Sequence, residues 1–82
     1  MIISDWQEVK RNTLRGFFTV TLPSGLKIRD CSLHEKNGAR WIAFPVKKND
    51  DKFAPLIEFT SRGVAENFRR QVIDALKALG HA

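Results

Sequence analysis

Short runs rich in β-branched and aromatic residues, separated by turn signals, occupy most of the first two thirds of the chain, and apolar residues recur at helical spacing after that. The pattern predicts an antiparallel sheet followed by one helix. Residues 15–22, Arg-Gly-Phe-Phe-Thr-Val-Thr-Leu, are rich in β-branched and aromatic side chains and predict a strand. Pro23-Ser24-Gly25 supplies a turn, and residues 26–34 the strand that returns. Within that return strand Leu26 and Ile28 share a face, and the apolar register then moves to Cys31 and Leu33. A phase change of this kind predicts a bulge near Arg29-Asp30. Asn37-Gly38 is the strongest hairpin signal in the chain and leads into a third strand, residues 39–46. The polar run 47–52 predicts an exposed loop, and residues 53–59 a fourth strand in which Pro55 requires a sheet edge or a bulge.

The helix starts after Thr60 or Ser61, either of which can cap it, and Gly80 is a natural stop that leaves His81 in a frayed tail. Val64, Phe68, Val72, Ala75, Leu76 and Leu79 make its apolar stripe, with Ile73 pointing away from it. Residues 1–14 are set apart as an N-terminal segment. Ser4-Asp5-Trp6-Gln7 has the form of a capping box, but Val9 to Asn12 also suits a short edge strand turning at Asn12-Thr13, and extended structure is the preferred reading. The expected fold is α+β: a three- to four-stranded antiparallel meander and one C-terminal helix, in a single domain over residues 15–82.

The third strand is apolar on both sides, with Trp41 and Ala43 on one and Ile42, Phe44 and Val46 on the other. Phe17 and Phe18 divide in the same way. One helix covers one face, so the other is expected to carry an apolar patch, the usual mark of an interface. A homodimer is therefore expected, with Trp41, Phe17 and Phe44 at its interface. The competing arrangement folds the N-terminal segment over that face with Trp6 as the lid.

The 82 residues bear a formal charge of +5, which favours an anionic partner such as nucleic acid or a phospholipid surface. No apolar run is long enough to span a bilayer, the N-terminus has no signal-peptide pattern, and Cys31 stands alone. A reducing, cytoplasmic setting without a membrane partner is the simplest expectation. The two histidines and one cysteine make a poor metal set, and no glycine-rich loop for phosphates is present. No cofactor, metal or small-molecule substrate is expected. Cys31, His34 and Asp30 are the residue types of a thiol dyad, but residues three apart on a strand face opposite ways, so the chain is not read as an enzyme.

The cations are the better candidates. Lys47 and Lys48 leave a strand end and can reach phosphate oxygens. Arg69 and Arg70 lie on the helix, where Glu66 and Arg70 also make an i, i+4 pair. Lys27 and Arg29 alternate on one strand, and Arg40 opens the next; together they suggest a basic stripe, with pairing to Glu35 or Asp30 as the alternative. Trp41, Phe17 and Phe44 are also ring types on which unpaired bases stack.

The segment Trp41-Ile42-Ala43-Phe44-Pro45-Val46-Lys47-Lys48 resembles the aromatic, aliphatic, Ala, Met/Phe, Pro, variable, basic, basic run of the bacterial SpoVG family, the stage V sporulation protein G or septation regulators. Leu26-Lys27-Ile28-Arg29-Asp30 is similar to that family's strand ending in Asp, and the resemblance spans roughly residues 14–79. It implies a small α+β dimer that binds DNA and RNA as a regulator without catalysis. Lys47 and Lys48 match the basic pair, and Arg69 and Arg70 match by their place on the helix. The resulting expectation is a nucleic-acid-binding regulator that contacts mainly the phosphate backbone. The alternative is a protein-interaction module using the apolar sheet face.

Overall fold

The computed structural model describes all 82 residues. The elements in chain order are β1 (Ile2–Arg11), β2 (Leu14–Thr21), β3 (Lys27–Lys36), β4 (Ala39–Ala43), β5 (Val46–Asn49), β6 (Lys52–Pro55) and α1 (Arg62–Ala78). Strands β1 to β4 form one antiparallel sheet in that order, and β5 and β6 form a separate two-stranded ribbon. The fold is thus an α+β meander of four strands with one C-terminal helix.

The N-terminal segment is the sheet's first strand, paired with β2 from Ile2 opposite Thr21 to Arg11 opposite Leu14. Ser4-Asp5-Trp6-Gln7 does not cap a helix. Asp5 adopts φ 57° and the register slips between Ser4 and Gln7, so a bulge turns Trp6 towards the helix side. There Trp6 packs near Phe18, 6.4 Å between ring centres, and stacks on His81 at 4.2 Å. Trp6 is therefore no lid for the opposite face, and His81 is not a loose tail. Gly16 makes this packing possible, because a side-chain carbon there would overlap the Trp6 indole.

The expected bulge at Arg29-Asp30 is present. Asp30 sits at φ 59°, and β3 holds one residue more than β2 between the pairs Phe18–Cys31 and Val20–Ile28. Phe18, Val20, Ile28, Cys31, Leu33 and Ile42 form the sheet's share of the core, closed by Val72 and Leu76 of α1. Ser61 caps the helix, its hydroxyl accepting from the Val64 N–H at 3.2 Å. At the far end the Gly80 N–H donates to Lys77 O at 3.0 Å and the His81 N–H to Leu76 O at 2.9 Å. This paired bonding, with Gly80 at φ 81°, swings His81 back onto Trp6.

The buried stripe of α1 is rotated from the expected one. Ala65, Val72 and Leu76 are buried, while Val64 and Leu79 are about half exposed. Ile73, expected to face outwards, is partly buried and packs against the core.

The third predicted strand breaks at Phe44-Pro45. Proline cannot donate to a ladder, and β4 ends at Ala43. The chain then leaves the sheet as β5, turns at Asp50-Asp51 and returns as β6, with Lys48 opposite Phe53 and Val46 opposite Pro55. Residues expected in a loop are the tip of this ribbon. The expected fourth strand of the main sheet is instead β6 followed by an irregular stretch whose Ile57 packs against the core and whose Phe59 meets Phe44 and Phe68.

Candidate nucleic-acid interface

β4 is an edge strand, hydrogen-bonded only to β3. Its side chains alternate, so Ile42 enters the core, Arg40 shares the helix side and Trp41 faces away. A groove of about 400 Å³ lies between this edge and α1, lined by Arg40, Trp41, Arg69, Arg70, Ile73 and Lys77, with Glu66 and Asp74 on the same wall. Arg40, Arg69 and Arg70, named from sequence, meet here. Lys77 joins them, one helix repeat beyond Arg70 on the same side. Its spacing from Arg70 was the available signal.

Each cation is held differently. Arg40 lies opposite Glu35 in the β3–β4 register, and the two side chains come to 4.0 Å. Glu35 also lies 4.0 Å from Arg15, so one carboxylate is shared between two guanidinium groups. Arg69 stacks its guanidinium over Phe44 at 5.3 Å and Phe59 at 5.7 Å. Arg70 and Lys77 make no ion pair or side-chain hydrogen bond. The expected Glu66–Arg70 pair does not form, because Glu66 binds Arg62 at 3.0 Å. Arg62 at the helix start thus neutralises a groove carboxylate and leaves Arg70 without a partner.

Trp41 is 40% exposed and lies parallel to the His34 ring at 5.6 Å. His34 is fixed in turn by Thr13 Oγ1 on Nδ1 and Ser32 Oγ on Nε2, both at 3.0 Å. The indole is therefore an exposed ring on a rigid support. Phe17 shares this face, opposite Ser32 and on the far side of β3 from Trp41, and it too is partly exposed. Gln7, Ser32 and His34 lie around the two rings, so the face away from the helix is mixed rather than apolar. Phe44 does not belong to it. It sits on the helix side among Phe59 and Phe68, covered by Arg69.

The remaining cations lie elsewhere. Lys27 and Arg29 border a larger groove between the start of β3 and residues 56–59. They form no stripe with Arg40, which lines the β4–α1 groove. Lys47 and Lys48 sit on the ribbon with Lys52, on β5 and β6 strands exposed throughout.

Cys31 and His34 are each engaged within the fold. Cys31 is fully buried and its thiol donates to Ile28 O at 3.5 Å. Burial, reinforced by the neighbouring Asp30 charge, pushes its pKa up to about 11, so it carries no thiolate near neutrality. Both ring nitrogens of His34 are engaged by hydroxyls. No group of three or more His, Cys, Asp or Glu side chains is placed to hold a metal ion. No helix is long and apolar enough to cross a membrane. Comparison with protein-family models, with curated proteins and with solved structures yields no match to this chain.

Proposed function

We propose that this protein binds nucleic acid, chiefly through the phosphate backbone, and acts as a regulator of the SpoVG type. The observation that carries the reading is the β4–α1 groove, where Arg40, Arg69, Arg70 and Lys77 gather along an edge strand whose other face exposes the Trp41 indole. A cationic track beside an accessible ring is the arrangement single strands use: phosphates meet the cations while a base stacks on the ring. Most contacts are to phosphate, so sequence selectivity is weak and affinity falls steeply with salt. The likeness of residues 41–48 to the SpoVG segment points the same way.

Fluorescence anisotropy with labelled single- and double-stranded oligonucleotides over a salt series tests this. Three or four neutralised phosphates give a log–log slope of about −2 to −3 on a single strand. Absence of binding at low salt refutes the proposal.

A further inference from the structure

The two edges of the main sheet are built differently. β1 slips twice against β2, between Ser4 and Gln7 and between Glu8 and Arg11. Bulges of this kind protect a sheet edge against a further strand. β4 has none. Its register with β3 runs unbroken from Ala39 opposite Lys36 to Ala43 opposite Ser32, and no proline falls within it.

The direction of its spare backbone groups follows from the hairpin. The two-residue turn Asn37-Gly38 makes Lys36 and Ala39 a hydrogen-bonded pair. The next pair, Glu35 and Arg40, is then not bonded across the ladder, and Glu35 donates its N–H to Thr13 O instead, at 2.8 Å. Arg40 and Ile42 therefore turn their N–H and C=O groups away from β3. β4 is bonded to β3 alone, and none of the turn, loop or cap bonds reaches these two residues. Ile42 is 4% exposed, which leaves its outward groups little room for water, and buried backbone groups are normally paired.

The β4–α1 groove runs along this edge. Arg40, Trp41 and Ile42 all border it although their side chains alternate between the two faces, and a groove that follows the strand's edge meets successive residues in this way. The opposite wall is one side of α1. From Glu66 to Lys77 the helix rises about 16 Å, and the five residues of β4 reach about 17 Å.

We infer that this edge takes up one further β-strand, an extended acidic segment of a protein partner laid between β4 and α1. Three observations select that occupant. First, the outward N–H and C=O groups of Arg40 and Ile42 match a peptide backbone, and a nucleic acid has no such ladder to offer. Second, the helix wall selects acidic side chains. Arg70 and Lys77 are unpaired, Glu66 is already held by Arg62, and Asp74 is the one carboxylate of the wall left to oppose them. Third, charge disfavours a second copy, because pairing β4 with β4 about a two-fold axis brings Arg40 and Arg70 of one chain against the same cations of the other. On an added strand, alternate side chains reach Arg70 and Lys77, and those between them lie on the open face beside Trp41. The favoured segment thus alternates acidic with apolar residues. The inference stands on strand edge and groove and does not require nucleic acid. Where both ligands bind, they compete for Arg70 and Lys77, so an acidic partner displaces nucleic acid.

Fluorescence anisotropy with a short labelled peptide of alternating Glu and Val, paired with amide exchange of the full chain by NMR, tests it. The peptide is expected to bind, its counterpart with Gln in place of Glu to bind more weakly, and Arg70→Ala to lose about two- to fivefold in affinity, the range of one exposed charge pair. N-methylation of one alternate set of peptide residues is expected to abolish binding and of the other set to leave it, because only one set of N–H groups faces β4. Exchange of the Arg40 and Ile42 amides is expected to slow about tenfold at a peptide concentration ten times Kd. Four results overturn the inference: no peptide binding at low salt, equal binding of the two N-methylated forms, exchange at Arg40 and Ile42 unchanged by peptide, or protection of the Arg40 amide that grows with protein concentration, the sign of a second copy on the edge. Peptide binding without oligonucleotide binding supports this inference and refutes the nucleic-acid reading, and oligonucleotide binding without peptide binding does the reverse.

Discussion

The indole of Trp41 lies parallel to the imidazole of His34, 5.6 Å between ring centres and within 8° of coplanar. The stack holds the tryptophan flat on the sheet face away from the helix, partly exposed to water. A base can add to the free side without any rearrangement. Trp41→Ala should weaken single-strand binding by roughly 5- to 150-fold, the range for loss of one base–aromatic stack, while Trp41→Phe should keep most of the affinity. Oligonucleotide should also quench tryptophan emission in wild type but not in Trp41→Phe, because the remaining Trp6 is stacked on His81 beneath the helix side of the sheet.

Arg69 and Arg70 are adjacent in sequence and should respond in opposite ways. Arg69 lies across Phe44 and Phe59, so Arg69→Ala removes packing as well as charge and should cost about 0.5–2 kcal/mol of stability. Arg70 has no partner in the fold, and Arg70→Ala should leave stability within about 0.5 kcal/mol. Its effect should appear in the salt dependence instead, lowering the slope on a single strand by about 0.7. Urea unfolding and salt-titrated anisotropy on the two variants separate the roles.

Much of this architecture was legible from residue pattern, and the misses share a cause. Turns and caps are local chemistry: Asn37-Gly38, the bulge at Asp30 and the Ser61 cap act within a few residues, and each is where the sequence places it. What depended on distant partners was not legible. Trp6 reaches the helix side only because Asp5 opens a bulge and Gly16 leaves room across the strand pair. Residues 39–46 alternate like one strand, and only the path after Pro45 reveals an arm. Arg40, Arg69 and Arg70 were identifiable singly as cations, but their meeting depends on α1 packing beside β4, as does the partial burial of Ile73. The choice of Arg62 over Arg70 by Glu66 is decided by rotamers that spacing leaves degenerate.

Gly16 and Trp6 should behave as a coupled pair. A methyl group at Gly16 meets the indole, and both the six-membered ring of Trp6 and the Gln7 carbonyl lie too close for it. Gly16→Ala should therefore destabilise the protein by about 1–3 kcal/mol, as overpacking does. Trp6→Phe on its own removes buried ring area and should also destabilise. Combined, the smaller ring relieves the overlap, so the double variant should be more stable than the two single losses added together. A double-mutant cycle by urea denaturation reads the coupling. Simple additivity would show that the indole is not what excludes a side chain at position 16.

Cys31 should make stability depend on alkaline pH. Its pKa in the folded chain is raised from 9.0 to about 11, first by burial and then by the Asp30 charge, so the folded state holds the thiol proton more tightly than the unfolded state does. The resulting stabilisation is complete below pH 9 and is lost as pH rises through 11, when the unfolded chain ionises while the folded chain resists. A shift of this size corresponds to at most about 3 kcal/mol. Cys31→Ala lacks the titration but keeps the other alkaline groups, so the two proteins share every other pH effect. The stability advantage of wild type over Cys31→Ala should thus shrink between pH 8.5 and 11, measured by urea midpoints under a reductant. An advantage that stays constant across that range would mean that the thiol ionises in the folded chain as readily as in water, which would contradict its burial beneath the helix.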